Sequence, residues 1–171
     1  MPPEMASSRV LCDALTELLS GIPIIRAASP ARIEEPGRLH GKRVLIVEDG
    51  PTITHGGMPF GAGFAAVRDL PDVDIVDPRV SAAPDIAAIY RKFPHIGMVL
   101  PAMGYSDQQR QSLAHTINRS AADIVVAATP ANISRVLEIK KPVVRVSYEY
   151  EDAGADTLSE AVDGFLDRRG L

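Results

Sequence analysis

With 171 residues, 46% of them hydrophobic, the chain can bury a core as one globular domain and is too apolar for disorder. A net charge of −4, basic residues scattered in short pairs and the absence of tryptophan argue against a nucleic-acid partner. The single cysteine, Cys12, excludes an internal disulfide framework; no apolar run is long enough to cross a membrane, and no basic and apolar leader opens the chain, so a cytoplasmic setting is expected.

The apolar spacing of residues 10–19 predicts a helix, with Cys12 as a buried, inert thiol among Val10, Leu11 and Leu15. Residues 22–27 can add a strand. Runs of β-branched residues at 44–47, 73–76, 96–100, 124–127 and 143–146 predict strands, most of them apolar on both faces. Between them lie helix starts. Pro84 with Asp85 opens a helix through Ile89 and Tyr90. Ser106-Asp107-Gln108-Gln109 is a capping box with Leu113 and Ile117 following on one face. Thr129 reads as an N-cap with Pro130 in the first helical position. Thr157-Leu158-Ser159-Glu160 is a second capping box, and it predicts a C-terminal helix with Val162, Phe165 and Leu166 turned inward. Strands alternating with helices predict an α/β fold. The expected form is a three-layer, open, doubly wound, mostly parallel Rossmann-like sheet of about five or six strands. One domain over 1–171 is expected, with its core at 41–150 and a C-terminal helix within 151–171.

In such a sheet, ligands sit outside the carboxyl ends of the strands. The loops at those ends carry the chemistry: Glu48-Asp49-Gly50-Pro51-Thr52, Asp77-Pro78-Arg79, Pro101-Ala102-Met103-Gly104-Tyr105 and Thr129-Pro130-Ala131-Asn132. The opposite rim opens with plain pieces such as Pro71-Asp72 and Lys141-Pro142.

The most suggestive stretch runs from Glu48 to Val67. It holds five glycines, Gly50, Gly56, Gly57, Gly61 and Gly63, between a strand and a helix start near Gly61. Backbone N–H groups of Gly61, Ala62 and Gly63 at a helix start can cradle a phosphate, and Thr52, Thr54 and His55 can bond its oxygens. The same glycines would also serve a flexible surface loop with no ligand. Glu48 or Asp49 can hold Mg²⁺, directly or through water. His55 suits a general acid or base, a phosphoryl acceptor or a phosphate donor, with Asp49 as its catalytic companion. Arg79, Tyr105 and Thr129 can reach the same rim. His40, His95 and His115 read as structural, His95 being the one worth testing. No histidine and cysteine spacing fits zinc, and neither zinc nor haem is expected. Gly61-Ala62-Gly63-Phe64-Ala65-Ala66 matches a GxGxxA dinucleotide fingerprint, but it lies far from the strand and lacks a ribose-binding acid.

The string from Val44 through Glu48-Asp49-Gly50-Pro51-Thr52-Ile53-Thr54-His55-Gly56-Gly57-Met58, with Phe60-Gly61-Ala62-Gly63 behind it, resembles cyclic 2,3-diphosphoglycerate synthetase and its predicted-GTPase relatives. The likeness continues through Val76-Asp77-Pro78-Arg79, Phe93-Pro94-His95-Ile96-Gly97, Leu100-Pro101-Ala102-Met103-Gly104-Tyr105-Ser106, Thr129-Pro130 and Lys141-Pro142-Val143. It covers about residues 20–150 and only the C-terminal third of those longer proteins. The resemblance implies ATP-dependent closure of a phosphoanhydride with Mg²⁺ assisting, or a GTPase-like activity. It also makes residues 1–35 a remnant αβ unit of an absent nucleotide-binding domain. Three places depart from the pattern: Val80 with Ser81 after the Asp77-Pro78-Arg79 turn, Asn132, and Ser147. No G-x-x-x-x-G-K-[ST] occurs, since Gly41-Lys42 is followed by Arg43. The expected function is a phosphometabolite- or nucleotide-binding domain without nucleotide hydrolysis of its own. The alternative is a non-catalytic sensor or oligomerisation domain. Either would work as a homodimer or with a separate P-loop partner protein.

Overall fold

The computed structural model describes residues 3–19, 22–104 and 106–170, with side chains from residue 10 onward. In chain order the elements are α1 (Pro3–Leu18), β1 (Ala27–Ala28), β2 (Ala31–Ile33), β3 (Arg43–Asp49), α2 (Gly50–His55) and α3 (Ala62–Val67). Then come β4 (Asp74–Ile75), α4 (Pro84–Lys92), β5 (Leu100–Ala102), α5 (Asp107–Arg119) and β6 (Ile124–Ala128). The last are α6 (Ile133–Val136), β7 (Val143–Tyr148), β8 (Glu151–Asp152) and α7 (Leu158–Arg169). Contacts group the chain into two compact units, Ala31–Tyr148 and the pair Met1–Pro30 with Glu149–Leu171.

The unit Ala31–Tyr148 holds a six-stranded sheet of order β2-β7-β6-β3-β4, with β5 also paired to β3. Only β2 is antiparallel; the other pairings are parallel, as runs of Val and Ile covered on both faces require. A strand has two edges. β6 lies along Val44–Glu48 on one, so β4 and β5 divide the other, β4 against Arg43 and Val44 and β5 against Val47 to Asp49. Val44, Leu45, Ile46 and Val47 are fully buried and form the centre of the core with Ile53, Ile86, Leu113, Ile117, Val126 and Ile133. The expected three-layer, Rossmann-like α/β fold is the fold observed.

Five local expectations are corrected. Residues 96–99 are not strand: the Gly97 N–H donates to the Pro59 carbonyl and Ile96 accepts from Arg79, so these groups leave the ladder and β5 starts at Leu100. Of residues 22–27 only Ala27 is in a strand, because Pro23 offers no donor and pairing is confined to Ala27–Ala28 with β8. Thr129 is no N-cap. Ala128 is still paired with Glu48, so residues 129–131 must bend off the sheet before the single turn of α6 begins at Ile133. In α7 no residue is buried, and Val162, Phe165 and Leu166 are 45%, 49% and 36% exposed. Its unit is a pair of helices and a two-stranded ribbon with no broad sheet to cover. For the same reason Cys12 on α1 is half-buried rather than enclosed.

The capping boxes form as read. Ser106 Oγ accepts from Gln109 N at 3.2 Å while Gln109 Oε1 accepts from Ser106 N at 3.0 Å. Thr157 and Glu160 exchange the equivalent pair at 3.2 Å each. Together they fix where α5 and α7 begin.

Candidate functional site at the carboxyl end of the central strand

β3 ends in two carboxylates, and the two-residue period of a strand sends them to opposite faces of the sheet. Glu48 lies on the face that α3 covers. It is 1% exposed, and its Oε1 accepts from Gly61 N at 3.1 Å and Phe64 N at 2.8 Å. Burial pushes the Glu48 carboxyl above the usual glutamate range, opposed by the N–H groups of Phe64, Gly63 and Gly61. Two glycines make the seat. A Cβ on Gly61 would fall 2.6 Å from Glu48 Oε2, and one on Gly63 would fall 2.6 Å from Ala128 Cβ and 3.1 Å from Ile46 Cγ2. Of the amides expected to cradle a phosphate at the GxGxxA segment, that of Gly61 holds the protein's own carboxylate instead, together with that of Phe64.

Asp49 lies on the other face and is half-buried. Its Oδ2 accepts from Thr52 N at 3.4 Å and Thr52 Oγ1 at 2.8 Å, which caps α2. The first part of the expected loop is thus helix, started by Asp49 and by proline in its first turn. Gly50 lets this turn pack against β5, since a Cβ there would lie 2.5 Å from the Ala102 carbonyl oxygen. Thr54 is buried and donates to the Gly50 carbonyl at 2.8 Å. His55 is exposed at the end of α2, with Nδ1 3.1 Å from Thr54 Oγ1. Gly56 closes the helix, and Gly57 turns the chain with φ 66°.

The sheet order reverses at β3: the chain leaves it towards β4 and β5, then returns to its other edge as β6. Ligands gather outside such a point. A cleft of about 360 Å³ opens there, lined by Asp49 at the end of β3, Ala102 at the end of β5, Thr129 just after β6, Arg110 and Leu113 on α5, and Ile133 on α6. Arg110 is the cation of this cleft, ion-paired with Asp107 on the same helix face. Sequence reasoning missed it. The readable signal was an arginine three residues past Asp107, in the turn that follows a strand-end loop.

Of the residues expected at the site, Asp49 and Thr129 line this cleft, and Gly50 follows Asp49 directly. Thr52, Thr54, His55, Gly56, Gly57, Gly61, Ala62, Gly63, Glu48 and Arg79 are not among its lining residues. Arg79 is held elsewhere. Its guanidinium donates to the Ile96 carbonyl and to Asp77, and it lies 4.8 Å over the Tyr90 ring. Tyr105 lies outside the described residues. His95 bonds the Ile53 carbonyl at 2.8 Å, and His40 sits 3.8 Å from Asp72. Among the described residues, no group of three His, Cys, Asp or Glu side chains could hold a metal ion. No described helix is long and apolar enough to cross a membrane.

No family profile matches the chain, and no solved structure matches it. Over 151 residues, 88% of its length, the chain is 46% identical to arginine synthetase ArcE of Thermococcus kodakarensis. It spans about a third of that protein, 34% of its length. This is the relationship that the motifs of residues 44–63 and the strings after them implied. Over most of its length the chain is thus similar to one third of arginine synthetase ArcE, a cyclic 2,3-diphosphoglycerate synthetase-like protein.

Proposed function

We propose that the chain is a ligand-binding portion of a synthetase, and that the cleft outside β3, β5 and β6 takes a phosphorylated small molecule or a nucleotide. The observation that carries this reading is the position of the cleft: it opens where the sheet order reverses, with Arg110 and Thr129 at its rim. Arg110 supplies the planar donor fork that suits phosphate. Mg²⁺ commonly takes one or two carboxylates together with substrate phosphates and water, and Asp49 fits that use. Glu48 does not fit it, being enclosed and engaged by backbone amides. When bound, Mg²⁺ would neutralise phosphate charge beside Asp49. The relative's name, arginine synthetase, brings arginine or a compound built like it into the range of ligands.

Within this sequence no phosphate loop with its lysine is present, so phosphoryl transfer is assigned to a separate P-loop partner. That observation also favours a second reading, in which the domain binds its ligand without turning it over.

Calorimetric titration with ATP, GTP and 2,3-bisphosphoglycerate, each with and without Mg²⁺, tests the assignment. Ala131→Trp puts a large side chain at the exposed mouth of the cleft, and His55→Ala alters the far end of α2. Binding that Ala131→Trp abolishes and His55→Ala leaves intact is expected. The opposite pattern moves the site to the 50–63 segment and overturns the cleft.

A further inference from the structure

Resting on the cleft reading, we infer that the site runs on into a second lobe along α5 and that its ligand is a nucleotide, with phosphates in the first cleft and the nucleoside in the second lobe. A cavity of about 490 Å³ adjoins the cleft and shares Arg110, Val136 and Leu137 with it. It lies between α5 and the segment leading from α6 to β7. On the α5 side Asp107, Arg110, Gln111, Ala114, His115 and Asn118 line it. Spacings of three and four residues define one face of a helix, and from Arg110 to Asn118 that face rises about 12 Å. The opposite wall is held in place. Asn118 Nδ2 donates to the Glu138 carbonyl at 2.8 Å, and Asn118 Oδ1 accepts from Lys140 N at 2.8 Å.

The two lobes differ in kind. The first is walled mostly by apolar groups, with Arg110, Asp49 and Thr129 as its polar members. The second is mostly polar and its charges balance, Arg110 and Lys140 against Asp107 and Glu138. A balanced lobe exerts no net attraction on a phosphate chain. What it offers is hydrogen bonding. Among the described residues, the side chains of Gln111, His115, Glu138 and Lys140 have no hydrogen-bond partner, and together they present donors and acceptors. Ala114, Val136 and Leu137 add apolar surface, which suits the flat face of a base. An uncharged group that is part apolar, carries donors and acceptors of its own and is linked to phosphates at Arg110 is a nucleoside. A three-carbon bisphosphate has no group to place in the second lobe. Together the lobes stay within the size range of small-molecule sites.

The test is calorimetric titration of the full chain with ATP, GTP, inorganic tripolyphosphate and 2,3-bisphosphoglycerate, all with Mg²⁺, repeated on Gln111→Trp, His115→Ala and Ala131→Trp. Gln111 and His115 are exposed on α5, so neither change should move the unfolding midpoint. At least one nucleotide is expected to bind about tenfold or more tighter than tripolyphosphate, the effect of one or two hydrogen bonds. Gln111→Trp should remove that advantage by filling the second lobe, and His115→Ala should remove part of it. Tripolyphosphate should bind both variants as it binds the wild type. Ala131→Trp should abolish binding of every probe. If tripolyphosphate or 2,3-bisphosphoglycerate binds as tightly as the better nucleotide, or Gln111→Trp and His115→Ala leave nucleotide affinity unchanged, while Ala131→Trp still abolishes binding, the second lobe falls and the cleft stands. Binding that survives Ala131→Trp, or no binding of any probe at millimolar concentration, overturns both.

Discussion

Glu48 and Asp49 are adjacent residues at the end of one strand, yet they meet opposite surroundings. On the Glu48 side the space is full: two amides hold the carboxylate, and Gly61 and Gly63 are small because anything larger would strike it or its neighbours. On the Asp49 side the space is open: one carboxylate oxygen caps α2, and a cleft of about 360 Å³ begins there. The difference teaches how a glycine-rich stretch after a strand should be judged. Glycines beside a buried carboxylate mark an internal anion site, and the open cleft lies on the other face of the pleat.

The contrast can be broken most severely at Gly63. Gly63→Val forces carbon into Ala128 and Ile46, and a loss of about 3 kcal/mol is expected by urea unfolding. A valine tolerated without cost would show that the Glu48 side is not full. Next comes Glu48→Ala, which strands the Gly61 and Phe64 amides and should cost about 2 kcal/mol.

The same carboxylate sets a pH dependence. Its folded pKa is raised, so its contribution is fully present below the ordinary glutamate value of 4.5 and is lost as pH rises through the higher folded value. Glu48→Gln should flatten that part of the stability profile. A profile identical to wild type would remove Glu48 as its source.

Arg79 belongs with the filled regions although the sequence placed it at the rim. Arg79→Met releases the Ile96 carbonyl and Asp77, for an expected loss of about 1.5 kcal/mol with ligand affinity unaffected. An affinity change in that variant would bring Arg79 back to the site. The smallest effect is at Thr54, where Thr54→Val removes the bond to the Gly50 carbonyl and should cost about 1 kcal/mol, read as a shift in the unfolding midpoint.

What could be read in advance follows a physical line. The sheet was legible because Val44 to Val47 and residues 124–127 are apolar on both faces, which only a covered parallel strand explains. Capping boxes at Ser106 and Thr157 were legible because each bond partner lies within four residues. The segment 96–99 was misjudged because its carbonyl and amide partners, Arg79 and Pro59, are distant in sequence. At the cleft, the positions of Asp49 and Thr129 were legible from their places at strand ends. Arg110 was not, since its relevance comes from where α5 crosses the sheet. The helix Gly50–His55 carried its own mark, an aspartate N-cap followed by proline, but five glycines nearby outweighed it.

Pro101 sits in the middle of β5, opposite Glu48, on the outer side of the sheet, and Pro30 stands just before β2 on the other outer strand. A proline has no N–H to offer, and the outer strands are short, three residues in β2 and β5 and two in β4. Such short margins, one of them broken by proline, disfavour the addition of a further strand and edge-to-edge aggregation. The margins thus favour association of this unit through side chains on its helices and loops, where specificity can be written, over bare backbone, where it cannot.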